Sequence, residues 1–296
     1  MKKAVIDLGT NTFNLLIAEI EEGKIVDIST RKEPVLLGMN GINEGRLSDN
    51  AMTRALETLG RFKAICANNG IDARDIHAIG TSAIRSAANR MNFSEQIKSQ
   101  LGLELEIIDG NREAELIFQG VLWLYDFWEP AVVMDIGGGS TEFIWGSDAK
   151  IDSSHSLDIG VTRIFQTQNE PESFDETCRE EIWQLLDGIH AFQNEPKYQT
   201  LIGASGSFET FWEMINKSPF PKEHSLISLD RDDLEECMNW VVNSSKEERN
   251  NHPWIIPFRK RMLPIAAMKI QWLMKNMNTD KVFISPYSLK EGVLRK

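Results

Sequence analysis

Two short stretches end an apolar run on an acid and follow it with glycine and hydroxyl or amide side chains. They are "AVIDLGTNTFNLLIAEI" at 4–20 and "AVVMDIGGGSTEFIWG" at 131–146. Both read as strand, Asp-x-Gly, polar turn, strand. Gly137, Gly138 and Gly139 remove three successive Cβ atoms, so the backbone can turn sharply and bring its N–H groups onto an anion. A plain hairpin needs far less glycine. Asp7 and Asp135 hold equivalent places in the two copies, each followed by Ser, Thr or Asn that can bond phosphate oxygens or a hydrated metal. The duplication predicts two similar domains facing each other across a cleft, with an anion and its metal between the turns.

Other candidates gather around this pair. Glu113 and Glu115 fall in the first turn of a helix opening near Asn111, where a carboxylate offsets the exposed N–H groups. The same position keeps an acid ionised, which suits a general base for water. Glu142, on the strand leaving the glycine turn, would complete a carboxylate pair with Asp135 around Mg²⁺, a hard cation that favours oxygen ligands. In "TLIGASGSFETFW" a small-residue turn opens a helix, so Gly203, Ser205, Gly206 and Ser207 could meet a further phosphate through backbone N–H groups. Arg85 follows a strand end in "GTSAIRSAANR". Arg163, Arg259, Lys260 and Arg261 read as a solvated charge cluster, with guidance of an anionic chain as the alternative.

Several classes are excluded. The five histidines show no HxH or HExxH spacing, no G-x-x-x-x-G-K-[ST] occurs, and "GASGS" is not the elbow of a serine hydrolase. Cys66, Cys178 and Cys237 lack paired spacing and read as buried thiols in a reducing compartment. A net charge of −12 disfavours general nucleic-acid binding, so a phosphate-rich ligand must be held by a metal or by locally placed Arg and Lys. No window approaches a membrane span and the apolar run behind Met1 is too short for a signal peptide, so a cytoplasmic location is expected.

The elements that must position these residues alternate strand and helix. "LSDNAMTRALETLGRFKAICANNG" predicts a helix capped by Ser48 or Asp49 and stopped at Gly70, and "IHAIGTSAIR" a strand running into a helix near Ser82. In "PESFDETCREEIWQLLDGIHAF" a Ser173-x-x-Glu176 capping box opens a core helix with an apolar face of Ile182, Leu185, Leu186 and Ile189. "SSKEERNNHPW" reads as a polar break, and "RKRMLPIAAMKIQWLMKNM", a strand "KVFIS" and a helix "SLKEGVLRK" close the chain. With 296 residues and 42% hydrophobic content, this is an α/β protein expected to form two domains, 1–127 and 128–296. The last helix is a candidate to pack back on the first.

At this point the chain resembles the exopolyphosphatase and guanosine pentaphosphate phosphatase (Ppx/GppA) family, within the actin-like, sugar-kinase-like superfamily. The resemblance rests on the two Asp-Gly stretches together with "GTSAIRSAANR", "IIDGNREAELIFQGV", "SLDIGVTRIF", "IGASGSFET" and "VFISPYSLKEGVL", in that family's order. It implies two related actin-like (ribonuclease H-like) domains, each a mixed sheet flanked by helices, with an interdomain cleft. It implies hydrolysis of the terminal phosphoanhydride of polyphosphate or pppGpp with Mg²⁺ as cofactor. Glu113 would activate water, and Asp135 and Glu142 would organise metal and water, with Asp7 as a further metal residue. Asn11, Thr12, Arg85, Gly137, Gly138, Gly139 and Ser140 would hold phosphate, beside Gly206 and Ser207. Many members read Glu-Glu at Arg112-Glu113, and Gly-Leu-Arg where this chain has Ser288-Leu289-Lys290. The resemblance leaves homodimer formation open. Alternatives are an ATP-dependent kinase or ATPase of the same fold, and a non-catalytic alarmone-binding protein.

Overall fold

A computed structural model of the chain describes residues 2–295 except 22, 23, 40, 222 and 223. Its framework is two mixed sheets of matching topology. In the first, β1 (Lys2–Leu8) pairs antiparallel with β2 (Thr12–Glu21), and β2 with β3 (Lys24–Pro34). On its other edge β1 runs parallel to β4 (Ile76–Gly80), and β4 to β5 (Leu105–Ile107), giving the order β3-β2-β1-β4-β5. The second sheet repeats the plan: β6 (Ala131–Ile136), β7 (Thr141–Ser147) and β8 (Lys150–Leu157) form the meander. Here β9 (Thr200–Gly203) runs parallel to β6, and β11 (Lys281–Ile284) parallel to β9. β10 (Ile227–Leu229) is added antiparallel at the edge, giving β10-β11-β9-β6-β7-β8. This is the actin-like two-domain fold, and it accounts for the repeated Asp-Gly stretch: each copy is the first hairpin of its own sheet.

The connections supply the helical layers. α1 (Asp49–Asn68), α2 (Ser82–Arg85), α3 (Arg90–Leu101) and α4 (Gly110–Val121) belong to the first half. They are followed by α5 (Val161–Thr167), α6 (Glu176–Asp187), α7 (Gly206–Asn216), α8 (Arg231–Asn243), α9 (Lys246–Asn251), α10 (Leu263–Met277) and α11 (Leu289–Leu294). Among the described residues no helix is long and apolar enough to cross a membrane. Ser48 caps α1 as expected, its Oγ accepting from the Ala51 N–H at 3.3 Å. Two local readings are corrected. The capping box at Ser173 does not form, because α6 begins only at Glu176 and Asp175 caps it, accepting from Cys178 N at 2.9 Å. The "polar break" contains α9, opened by a true capping box of Ser245 and Glu248; six residues are too few to display an apolar period.

Alternation along the strands assigns the faces. Ala4, Ile6 and Leu8 pack with Leu59 and Phe62 of α1 and Phe93 and Ile97 of α3, whereas Val5, Leu16 and Ala18 face the opposite way. In the second sheet Val132, Met134, Phe143 and Trp145 join the large core with α6, α8 and α10, while Ala131, Val133 and Ile144 face away from it. The two remaining faces share one core, filled by Leu116, Ile117 and Phe118 of α4 and by Leu289, Val293 and Leu294 of α11. These two helices touch backbone to backbone. A Cβ on Gly120 would overlap the Ser288 carbonyl, and one on Gly292 the Leu116 carbonyl. Cys66 is buried and Cys178 and Cys237 half-buried; none is paired, and burial pushes the Cys66 thiol up to about 11 and Cys237 up to about 12.

Candidate active site

The strand ends convert this alternation into chemistry. Moving along β1 from Val5, the next inward position is Asp7, opposite Asn14 of β2; moving along β6 from Val133 it is Asp135, opposite Glu142 of β7. The side-chain period of two thus puts all four on the faces that look toward α4 and α11. α4 adds Glu113 from its first turn, beyond Asp109, whose carboxylate accepts from Arg112 N at 2.8 Å. Asp7, Glu113, Asp135 and Glu142 line a single cavity of about 190 Å³ together with Asn11, Thr12, Gly137, Gly138, Gly139, Ser140, Gly206 and Ser207. Sequence reasoning therefore named most of one wall set.

The two turns have the same backbone closure, Gly9 N–H to Thr12 O at 3.2 Å and Gly137 N–H to Ser140 O at 3.1 Å. They also meet each other. A Cβ on Gly138 would lie 2.8 Å from Asn11 Nδ2 and from Thr10 Cβ, so glycine is required for the approach. The carbonyls of Gly137, Gly138 and Gly139 accept from Val161, Thr162 and Gly160 at the start of α5. With these peptides trans, each following N–H is directed away from α5. At α7 the N-cap Ser205 makes no side-chain cap bond, and its buried Oγ, like that of Ser82, has no partner among the described residues. Both serines line the cavity, which leaves hydroxyls and helix-end N–H groups to receive an anion.

Burial governs the acids. Glu113 is 7% exposed; burial pushes its carboxyl up to about 7, aided by the nearby charges of Asp7 and Asp135 and opposed by Arg85. Burial likewise raises Asp135 to about 6, against the hydroxyl of Ser288, which donates to its Oδ2 at 2.7 Å. Glu142 stands well above the usual carboxylate range through burial and the charges of Glu113 and Asp135, although Ser156 Oγ donates to it at 2.8 Å. Asp7 is raised by burial, with Lys290 and the Asn14 amide, bonded at 3.0 Å, acting against it.

Arg85, expected to touch phosphate, is not on the cavity wall. Its guanidinium stands behind Glu113, donating to Oε2 at 2.7 Å and to the Ile108 carbonyl at 3.1 Å. The adjacent Arg112 turns outward to Glu115 and leaves Glu113 alone. Of Arg163, Arg259, Lys260 and Arg261, Arg259 alone reaches the cavity; Arg163 ties the halves by donating to Ile42 O and Gly139 O, both at 3.2 Å, and Arg261 pairs with Glu170 at 3.3 Å.

Several site residues escaped sequence reasoning, which reads Arg259 as part of a solvated cluster with anion guidance as the alternative. Lys32, Glu209, Arg259 and Lys290 line the cavity beside the α7 N-terminus. Burial and Arg259 lower the Lys32 ammonium to about 8, so cations are crowded here. Lys32 comes from the far end of β3, a position that no local motif marks. Ser288 is placed by the capping box of α11, its N–H donating to Glu291 Oε2 at 2.8 Å. Behind the acids, fully buried Lys269 of α10 donates to Thr141 Oγ1 and, at 2.7 Å, to Ile159 O. Burial lowers this lysine to about 7, with Glu142 and Asp135 opposing. Among the described residues no three His, Cys, Asp or Glu side chains gather closely enough to enclose a metal ion by themselves.

An acid tuned near neutrality, unpaired N–H groups and a cationic wall suit attack of water on a phosphoryl group. Comparison with known proteins points the same way. A model of the Ppx/GppA phosphatase family matches residues 16–296. The chain is similar to an exopolyphosphatase from Cytophaga hutchinsonii, at 34% identity and a TM-score of 0.92, over 99% of this chain and 96% of that one. A Ppx/GppA family member from Aquifex aeolicus shares the fold at 24% identity and a TM-score of 0.82, over 100% and 96%. Since the family model spans nearly the whole chain, including the second Asp-Gly turn, the α4 glutamate and the terminal helix, the chain belongs to the Ppx/GppA phosphatase family.

Proposed function

We propose that this protein is a hydrolase that removes the terminal phosphoryl group of inorganic polyphosphate and releases orthophosphate. The observation that carries the reading is Glu113, buried beside Asp7, Asp135 and Glu142 in a phosphate-suited cavity and held near neutrality. A carboxyl at about 7 is matched to proton transfer at the pH at which it would work. Polyphosphate is favoured over a nucleotide by the 34% identical exopolyphosphatase and by size. About 190 Å³ is below the ~300–1,000 Å³ of pockets that enclose a drug-sized ligand, so a nucleoside would have to project out of the cleft.

In this reading the terminal phosphoryl lies between the Thr10–Thr12 and Gly137–Ser140 turns. Water oxygen bonds to phosphorus, Glu113 accepts the water proton, and the bridging oxygen leaves with the remaining chain and its electron pair. Arg85 holds Glu113 in place. The N–H groups of the glycine turn stabilise charge on the phosphoryl oxygens. The rest of the chain runs past Gly206 and Ser207 toward Lys32, Arg259 and Lys290. Asp7, Asp135 and Glu142 would hold Mg²⁺. Their donors are all oxygen, which suits a hard cation that keeps part of its water shell. When bound, Mg²⁺ would neutralise phosphate charge and polarise the phosphoryl oxygens.

The test is phosphate release from tripolyphosphate, longer polyphosphate, pppGpp and ATP, with and without Mg²⁺, by the wild type and Glu113→Gln. Mg²⁺-dependent release from polyphosphate is expected, falling about 10²- to 10⁴-fold in the variant. Unchanged release would remove Glu113 as the base. Release from pppGpp or ATP alone would make this a nucleotide hydrolase, and binding without release a sensor.

A further inference from the structure

The cationic wall contains an acid of its own. Glu209 sits in the first turn of α7, and its Oε2 lies 3.9 Å from Lys32 Nζ. Arg259 approaches from the loop before α10: a Cβ on Gly206 would overlap its guanidinium and lie 2.9 Å from Lys32 Nζ. Only glycine leaves room for the two cations at this helix end. Lys290 completes the group from α11. Burial by itself would raise the Glu209 carboxyl, yet Lys32, Arg259 and Lys290 outweigh it and hold it below the ordinary range. The three cations therefore favour the ionised form of the acid. Three mutually repelling cations share one carboxylate at the place where an anion would dock.

Resting on the polyphosphate reading above, we propose that Glu209 is an affinity-setting residue: its carboxylate occupies the three cations in the empty cleft and opposes the phosphates behind the scissile bond. A phosphate entering beside α7 must share Lys32, Arg259 and Lys290 with an anion that cannot leave. This weakens the grip on the part of the chain that is not being cut and speeds its escape, so the acid selects against tight retention of dense polyanions. Arg259 is also anchored by a bond to Thr210 Oγ1, 2.6 Å, a neutral partner other than Glu209.

The experiment is equilibrium binding of tripolyphosphate by calorimetry, in EDTA and in Mg²⁺, to wild type and Glu209→Gln, followed by KM and kcat on the same compound. The variant is expected to bind roughly tenfold more tightly, from loss of one repulsive charge. KM falls in parallel, and the dependence of affinity on salt steepens. Affinity that is unchanged or weaker in Glu209→Gln would overturn the proposal and make the acid a support for the cations. If Gln does not fold, Glu209→Ala, which fits any volume Glu fills, gives the same comparison. Wild type that hydrolyses no condensed phosphate would refute the function reading, while the binding comparison would still decide the role of Glu209.

Discussion

Replacing Glu113 by Gln should stabilise the protein at alkaline pH while removing its activity. The reason is the balance between burial and Arg85. If burial dominates, the neutral acid is the favoured form in the folded protein, and its carboxyl rises from the ordinary 4.5 to about 7. A carboxyl raised on folding contributes stability that is complete below pH 4.5 and lost as the pH climbs through 7. At about 1.4 kcal/mol per pKa unit, ionising Glu113 then costs about 3 kcal/mol by pH 8. Gln has nearly the same shape, keeps an acceptor for the Arg85 N–H, and never ionises. The variant should match wild type near pH 4.5 and exceed it by about 3 kcal/mol at pH 8, or roughly 5–10 °C in Tm. The assay is thermal or urea unfolding of both proteins across pH 4.5–8 in EDTA, so that metal binding does not enter. If the Glu113–Arg85 pair, bonded at 2.7 Å, is instead the larger effect, Gln will be the less stable protein at pH 8. That result, or curves that stay parallel across the range, would refute the reasoning.

The contact between α4 and α11 offers a second perturbation. Gly120→Ala adds a methyl where the Ser288 carbonyl already sits, so despite the better helix preference of Ala it should cost about 1–3 kcal/mol and lower activity by shifting Ser288 from Asp135. Urea unfolding and phosphate release check it, and wild-type values in both would show that α11 gives way freely. Lys269→Met tests the buried cation behind the acids. An ammonium lowered to about 7 on folding contributes stability that is present above pH 10.5 and lost as the pH falls through 7. Wild type should therefore gain stability from pH 7 to 10 relative to the Met variant. Loss of the positive charge should also move the acid limb of the pH–activity profile upward, because Glu142 and Asp135 lose a buried cation with which they interact.

What the sequence disclosed follows from where its signals are local. The duplicated Asp-Gly hairpin, the helix that starts before Glu113 and the small-residue turn before α7 are each contained in a dozen residues, and all three reached the same cavity. The cationic wall was not readable this way. Lys32, Arg259 and Lys290 come from β3, the loop before α10 and α11, and they converge only in the folded chain, Lys290 because α11 returns to lie on α4. Arg85 shows the complementary case. An arginine at a strand end near a phosphate motif was expected to meet the ligand, but the nearer anion is Glu113, and a buried carboxylate claims a guanidinium before a ligand can.

The repeat also explains why the site is asymmetric. Both sheets end their inward faces at the same register, so each hairpin must present two side chains to the cleft: Asp7 with Asn14, and Asp135 with Glu142. Had both copies carried the acid pair, Glu113 would meet four carboxylates at close range, and like-charge repulsion would force more of them to hold protons at neutral pH. Asn14 removes one of those charges and donates to Asp7, which lowers its carboxyl against the pull of burial. The second copy keeps its pair and pays with Glu142 held well above the ordinary range, beside the one buried lysine of α10. The two hairpins thus differ in charge where they face the cleft, Asn14 against Glu142, and the carboxyl raised well above the ordinary range stands on the side that keeps the pair.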